Sequence, residues 1–141
     1  MNLFFIRNTI LRGEELYGQS ETVKCRHQGK TNAFNLVCKT LGDANINIDG
    51  MMATGEVLRL LVDDLDKASK VLDKIGVHNA VEEVLGVELD HKPGTVANVV
   101  DRLASKGIKI RYAYAAGAPD SDRALFILSV TDMTDAIEAL R

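Results

Sequence analysis

Apolar residues recur along this chain in two rhythms, one helical and one of period two, and the sequence of rhythms occurs twice. Phe34, Val37, Cys38 and Leu41 are spaced i, i+3, i+4, i+7, the stripe of a helix with one buried face. A shift of 62 positions brings Val96, Val99, Val100 and Leu103 into the same spacing. That shift also superposes CKTLGDANINIDGMM (38–52) on VDRLASKGIKIRYAY (100–114), with Leu41 on Leu103, Ile46 on Ile108 and Ile48 on Ile110. A helix followed by an alternating strand is predicted at both places.

The second half of each copy follows the same logic. VLRLLVDDLDKASKVL (57–72) matches LFILSVTDMTDAIEAL (125–140) at a shift of 68, and the six extra residues fall in AAGAPDSD, where Gly117 and Pro119 mark a turn. Each β-rich run ends at an aspartate, Asp64 or Asp132, placed to cap the next helix. Leu65, Ala68, Val71 and Leu72 then pair with Met133, Ala136, Ala139 and Leu140. In the second copy a first strand over 81–89 precedes the turn Asp90-His91-Lys92-Pro93-Gly94, which completes the order βαββαβ.

The fold class that follows is α+β, two ferredoxin-like βαββαβ units with antiparallel sheets and their helices on one face. In the first copy two opening strands remain open: the polar stretch 21–27, which the shift of 62 selects, or 3–8. Residues 1–20 have no counterpart in the repeat. The organisation read from the chain is therefore a divergent segment 1–20, a first unit 21–76 and a second unit 77–141.

HKPGTVANVVDRLASKGIKI (91–110) resembles the ACT domain, which opens with a strand, a Pro-Gly turn, a helix, a glycine and a second strand. The tandem arrangement is similar to stand-alone two-ACT proteins that carry no enzyme. It departs from the pattern where Thr31-Asn32 replaces Pro93-Gly94. The resemblance implies a non-catalytic, allosteric regulatory protein that binds a small effector, often an amino acid, between paired domains.

Composition narrows the partners. A net charge of −3 and a pI near 5.6 lack the basic field that holds a polyanionic backbone, and aromatics at 5% are too few for base stacking, so no nucleic acid is expected. Cys25 and Cys38 fit neither a disulfide framework nor a zinc knuckle. The run Leu3-Phe4-Phe5-Ile6 is too short for an export signal and no stretch reaches membrane-spanning length. The expectation is a cytoplasmic protein with no membrane partner and no cofactor, pairing as a homodimer through its open sheet.

Candidate ligand-binding residues cluster at the Pro-Gly turn. Gly94, after Pro93, lets a ligand approach the backbone where the first amides of a helix, those of Thr95 and Val96, favour a carboxylate; the same pair can also be a plain tight turn. His91 and Lys92 flank it and can supply a hydrogen bond and a charge, or simply be solvated. Asn45, Asn47 and Asp49 alternate with Ile46 and Ile48 and so share one sheet face. They can grip an amino or carboxylate group, or form an outward polar face with a turn at Asn45. Arg111 can clamp a carboxylate or make a rim salt bridge. Asp63, Asp64 and Asp66 stand at a helix start, where capping outweighs paired-carboxylate catalysis. The histidines are never spaced i, i+4 and no CxxC, GxxxxGK[ST] or GxGxxG occurs, which leaves metal and phosphate-cradle chemistry without a motif. The competing readings are a ligand-free dimerisation module and an acylphosphatase-like hydrolase, the latter lacking an arginine in the loop at 91–94.

Overall fold

The computed structural model describes residues 6–26, 33–116 and 122–141. Along them run β1 (Arg7–Arg12), β2 (Glu15–Arg26), α1 (Ala33–Asp43), β3 (Ile48–Ala53), β4 (Val57–Val62), α2 (Leu65–Lys74), β5 (Asn79–Asp90), α3 (Thr95–Ser105), β6 (Ile110–Ala116), β7 (Arg123–Val130) and α4 (Met133–Leu140). Four helices appear among the described residues, each on a predicted apolar stripe. The loops at Thr31-Asn32 and at Gly117 and Pro119 lie outside the described residues.

The chain divides into two compact units, one of Glu21–Glu82 and one that joins the residues up to Ser20 with Glu83–Arg141. In the first, β2 and β4 pair with Val23 opposite Leu60 and Cys25 opposite Leu58. These residues point to the same side and pack on Val37 and Leu41 of α1 and Ala68 and Leu72 of α2. Lys24, opposite Arg59, points to the other side by strand alternation. Both helices of this unit thus cover one face of its strands.

In the other unit Leu85, Val87 and Leu89 of β5 and Leu128 and Val130 of β7 pack on Val99 and Leu103 of α3 and Ala136 and Leu140 of α4. Tyr17, with no exposed surface, joins the same cluster from β2. Residues before Ser20, without a counterpart in the repeat, therefore supply this unit with a strand. They arrive as a hairpin: Arg12 pairs with Glu15 across the two-residue turn Gly13-Glu14, with Gly13 at φ 61°. Of the two opening strands left open for the first copy, 21–26 is the end of β2, while Arg7 and Asn8 belong to β1. Since β2 and β5, twelve residues each, both cross the division between units, the strands are not sorted into two separate sheets as the repeat suggested.

The repeat extends to fine geometry. Asn45 (φ 59°) and Gly107 (φ 72°), related by the shift of 62, both turn the chain left-handed after a helix. The next amides, of Ile46 and Ile108, then bond back to Leu41 and Leu103 at 2.9 and 3.1 Å. Asp64 and Asp132 cap α2 and α4 as predicted, accepting from the amides of Lys67 and Asp135 at 3.1 and 2.9 Å. Among the described residues no helix is long and apolar enough to cross a membrane.

Candidate functional site

Unlike α2 and α4, α3 begins at a residue with no side chain to cap it. Gly94 holds φ 91° and ψ −16° at the N-cap and makes no side-chain hydrogen bond to the helix. A Cβ at this position would meet nothing within 4 Å, so glycine is required by the backbone angle rather than by space. The turn before it is well held. The His91 amide donates to the Asp122 carbonyl at 2.8 Å and the Lys92 amide to that of Asp90 at 3.0 Å. The Thr95 hydroxyl, 2.9 and 3.0 Å from the carbonyls of Asp90 and Lys92, secures the loop instead of capping the helix.

From this turn a polar stripe of α3, Thr95, Asn98, Arg102 and Ser105, faces the β1–β2 hairpin, and a cleft of about 780 Å³ lies between them. Arg12, Glu14, Glu15, Asp90, Lys92 and Asp101 complete its charged lining. Several of these groups hold the walls. Arg102 donates to Glu15 Oε2 at 3.3 Å, to the Tyr17 hydroxyl at 3.2 Å and to the Leu140 carbonyl at 2.8 Å. The Tyr17 hydroxyl in turn donates to Glu15. Arg123 binds Asp90 Oδ1 at 2.7 Å and also donates to the carbonyl of Glu14 in the hairpin turn. The hydrogen bond from Arg123 holds the Asp90 carboxyl below its ordinary range, with the charges of Arg123 and Lys92 adding to it. Lys92 Nζ stands 3.7 Å from Asp90 Oδ2 and remains largely exposed at the cleft.

The residues singled out in the sequence separate into three places. Lys92 and Thr95 line the cleft, whereas His91, Pro93, Gly94 and Val96 sit in the same turn and first helical turn but outside its lining. Arg111 is in the same unit but at the far end of β7: Asp90 pairs with Arg123 at one end and Ile110 with Val130 at the other. Seven residues of extended strand separate the two, roughly 23 Å, and the Arg111 guanidinium donates to the Val130 carbonyl at 3.2 Å.

Asn45, Asn47 and Asp49 belong to the Glu21–Glu82 unit. There Asn47 binds Asp49 through its side chain at 3.0 Å, and its amide donates to Asp63 Oδ1 at 2.9 Å. The second contact recurs in the other copy, where the amide of Lys109 donates to Thr131 Oγ1 at 3.1 Å. A bond present twice with different side chains is a clasp of the fold. Burial and the neighbouring Asp63 raise the Asp49 carboxyl, against the Asn47 hydrogen bond.

Arg12, Asn98 and Arg102 also line the cleft, and none of them belongs to the motif at 91–96. The polar α3 stripe, complementary to Val99 and Leu103, was a usable signal; the hairpin contribution had none, because nothing local ties residue 12 to residue 98. Among the described residues no cluster of histidine, cysteine and carboxylates could hold a metal ion.

Two successive βαββα runs, β2 to α2 and β5 to α4, with a Pro-Gly turn opening a helix onto a polar cleft, define a paired domain of the ACT class. The chain belongs to the ACT domain pair family, whose model matches residues 27–138. No curated protein matches it. Among solved structures it is similar to protein BT0572 from Bacteroides thetaiotaomicron, at 25% identity and TM-score 0.76 over 86% of each chain. The regulatory subunit of aspartate kinase from Thermus thermophilus shares the fold at 14% identity and TM-score 0.58, over 88% of this chain and 93% of that one. E. coli aspartokinase III in complex with lysine and aspartate matches at 17% identity and TM-score 0.57, over 94% of this chain but 33% of its own.

Proposed function

We propose that this chain is a non-catalytic sensor of a free amino acid, bound in the cleft between α3 and the β1–β2 hairpin. The observation that carries the reading is the mixed charge of the cleft around an uncapped helix start. An α-carboxylate is favoured at the first amides of α3 beside Lys92, where the helix dipole and a mobile cation act together. The ammonium is favoured by Asp101 and the hairpin carboxylates. The aspartokinase III structure that shares the fold holds lysine and aspartate, which supports an amino acid as the ligand class. A second copy of the chain packed over the cleft is the homodimeric assembly this reading expects.

Thermal denaturation with each of the twenty amino acids tests it. A cognate ligand at a hundredfold its Kd stabilises by about 2.7 kcal/mol, a shift of several degrees. Lys92→Gln should weaken that ligand about tenfold, and Gly94→Val should remove the shift while circular dichroism still reports a folded chain. A flat response to all twenty, or a ligand shift indifferent to both substitutions, would refute the proposal.

A further inference from the structure

A second cavity lies in the other unit and is chemically unlike the first. It holds about 170 Å³ and is lined by Lys24, Arg26, His78 and Ala80. Lys24 and Arg26 stand two apart on β2 and so point to the same side, away from the buried Val23 and Cys25. The Arg26 amide donates to the His78 carbonyl at 3.4 Å, which brings these two cavity-lining residues side by side along the backbone. Ala80, with only a methyl group, leaves the space above it open.

Among the described residues that line this cavity, every ionisable side chain is basic. Glu82 is the neighbouring carboxylate, and it is engaged by Arg59 at 3.0 Å, with Lys24 more distant at 3.8 Å. Among the described residues neither the Arg26 guanidinium nor the His78 ring has an ion-pair partner. The repeat shows that the fold does not need a cation at this position. The shift of 62 carries Arg26 onto Glu88, which lies 4.0 Å from Arg123 in an internally compensated group. An exposed cluster of donors that the architecture does not require, around a space of one small group, is suited to an oxyanion.

We infer that Lys24, Arg26 and His78 form an anion site that takes a phosphoryl group, either free phosphate or a small phosphomonoester. Arginine offers two parallel donors to a tetrahedral oxyanion, lysine a mobile charge, and an imidazole N–H a third direction of approach. The site is independent of the amino-acid cleft, since the two lie in different units and share no residue.

Calorimetric titration of the full chain with inorganic phosphate and with glycerol 3-phosphate, at ionic strength fixed with chloride, tests the assignment. Saturable binding of either, weakened about tenfold or more by Arg26→Gln and by Lys24→Gln but unchanged by Lys92→Gln, is the expected result. Tighter binding of the ester assigns the site to an organic phosphate, and equal binding assigns it to the free ion. His78→Ala, at an exposed position, serves as a further variant that leaves the fold intact. Binding no stronger than chloride, or binding that survives both Arg26→Gln and Lys24→Gln, overturns the inference without touching the amino-acid reading.

Discussion

The Arg102 guanidinium lies 5.3 Å from the centre of the Tyr17 ring and donates to its hydroxyl at 3.2 Å, joining positions 85 residues apart. Arg102 also reaches Glu15 and the Leu140 carbonyl of α4, so one half-buried side chain of α3 ties β2 to α4. Arg102→Ala is expected to cost about 2–3 kcal/mol, because charge-assisted bonds are lost and the acceptors are left short of donors. Tyr17→Ala should cost about 3–5 kcal/mol as a cavity opens in the core, and Tyr17→Phe about 1 kcal/mol. Urea denaturation measures all three. An Arg102→Ala loss under about 0.5 kcal/mol would mean that the contact is merely solvated.

Two glycines should respond in opposite directions to the same change. A Cβ at Gly18 would overlap the Arg7 carbonyl oxygen and sit 2.6 Å from Ile6 Cγ2. Gly18→Ala therefore forces β1 away from β2, at about 1–3 kcal/mol. Gly42, inside α1, has nothing within 4 Å of a built Cβ. Gly42→Ala should stabilise by about 0.5–1 kcal/mol through unfolded-state entropy and helix propensity. Equal melting temperatures for the two variants would contradict the close approach of β1.

Two carboxylates give opposing pH dependences. Asp90 has a folded pKa below its ordinary 3.8, chiefly from the Arg123 hydrogen bond. Its contribution is present above the unfolded value and is lost as pH falls through the folded one, so it belongs to the acid limb below about pH 4. Asp49 has a folded pKa raised by burial and by Asp63. Its contribution is complete below the unfolded value and is lost as pH rises through the folded one. Asp90→Asn should therefore destabilise at pH 7 and flatten the acid limb. Asp49→Asn, which keeps an acceptor for Asn47, should stabilise at pH 7 and change little at pH 3. Urea midpoints measured from pH 3 to 7 distinguish them; matching profiles would show that neither environment is as described.

The two thiols should be separable by reactivity. Burial pushes Cys25 up to about 11 and also raises the less buried Cys38. Because the thiolate is the reacting form, a chromogenic disulfide reagent should modify Cys38 first. Cys25 should react about a hundredfold more slowly until the chain is unfolded. Simultaneous modification of both in the native protein would argue against the packing of Val23 and Cys25 on α1.

How far these features could be read from the chain depended on distance along it. The caps Asp64 and Asp132, the turn at Gly94 and the buried Val99 and Leu103 are local patterns and lie where the periodicity put them, whereas Val96 and Val100, of the same predicted stripe, are exposed. Tyr17 was invisible for the opposite reason. ELYGQSETVKCR mixes charge, glycine and apolar residues, because its two halves serve different units, and its partners begin some 68 residues away at Leu85. The candidate cleft divides in the same way: Lys92 and Thr95 came from the helix start, whereas Arg12 and Glu15 came from a hairpin whose place only the folded chain reveals. Asn47 was read as a strand residue but lies just before β3, after the turn at Asn45, and its role as a clasp emerged from Lys109 and Thr131, which share no side-chain chemistry with it.

The interleaving of Ser20, Glu21, Glu82 and Glu83 across the unit boundary carries a consequence for biosynthesis. Glu21–Glu82 is uninterrupted and can finish folding as soon as its last strand has left the ribosome, whereas the hairpin made before it stays unmatched until Glu83–Arg141 has been translated. The hairpin thus meets its neighbours later than the segment translated after it, and for that interval the apolar side of β2 around Tyr17 lacks the packing that Leu85 and its neighbours give it.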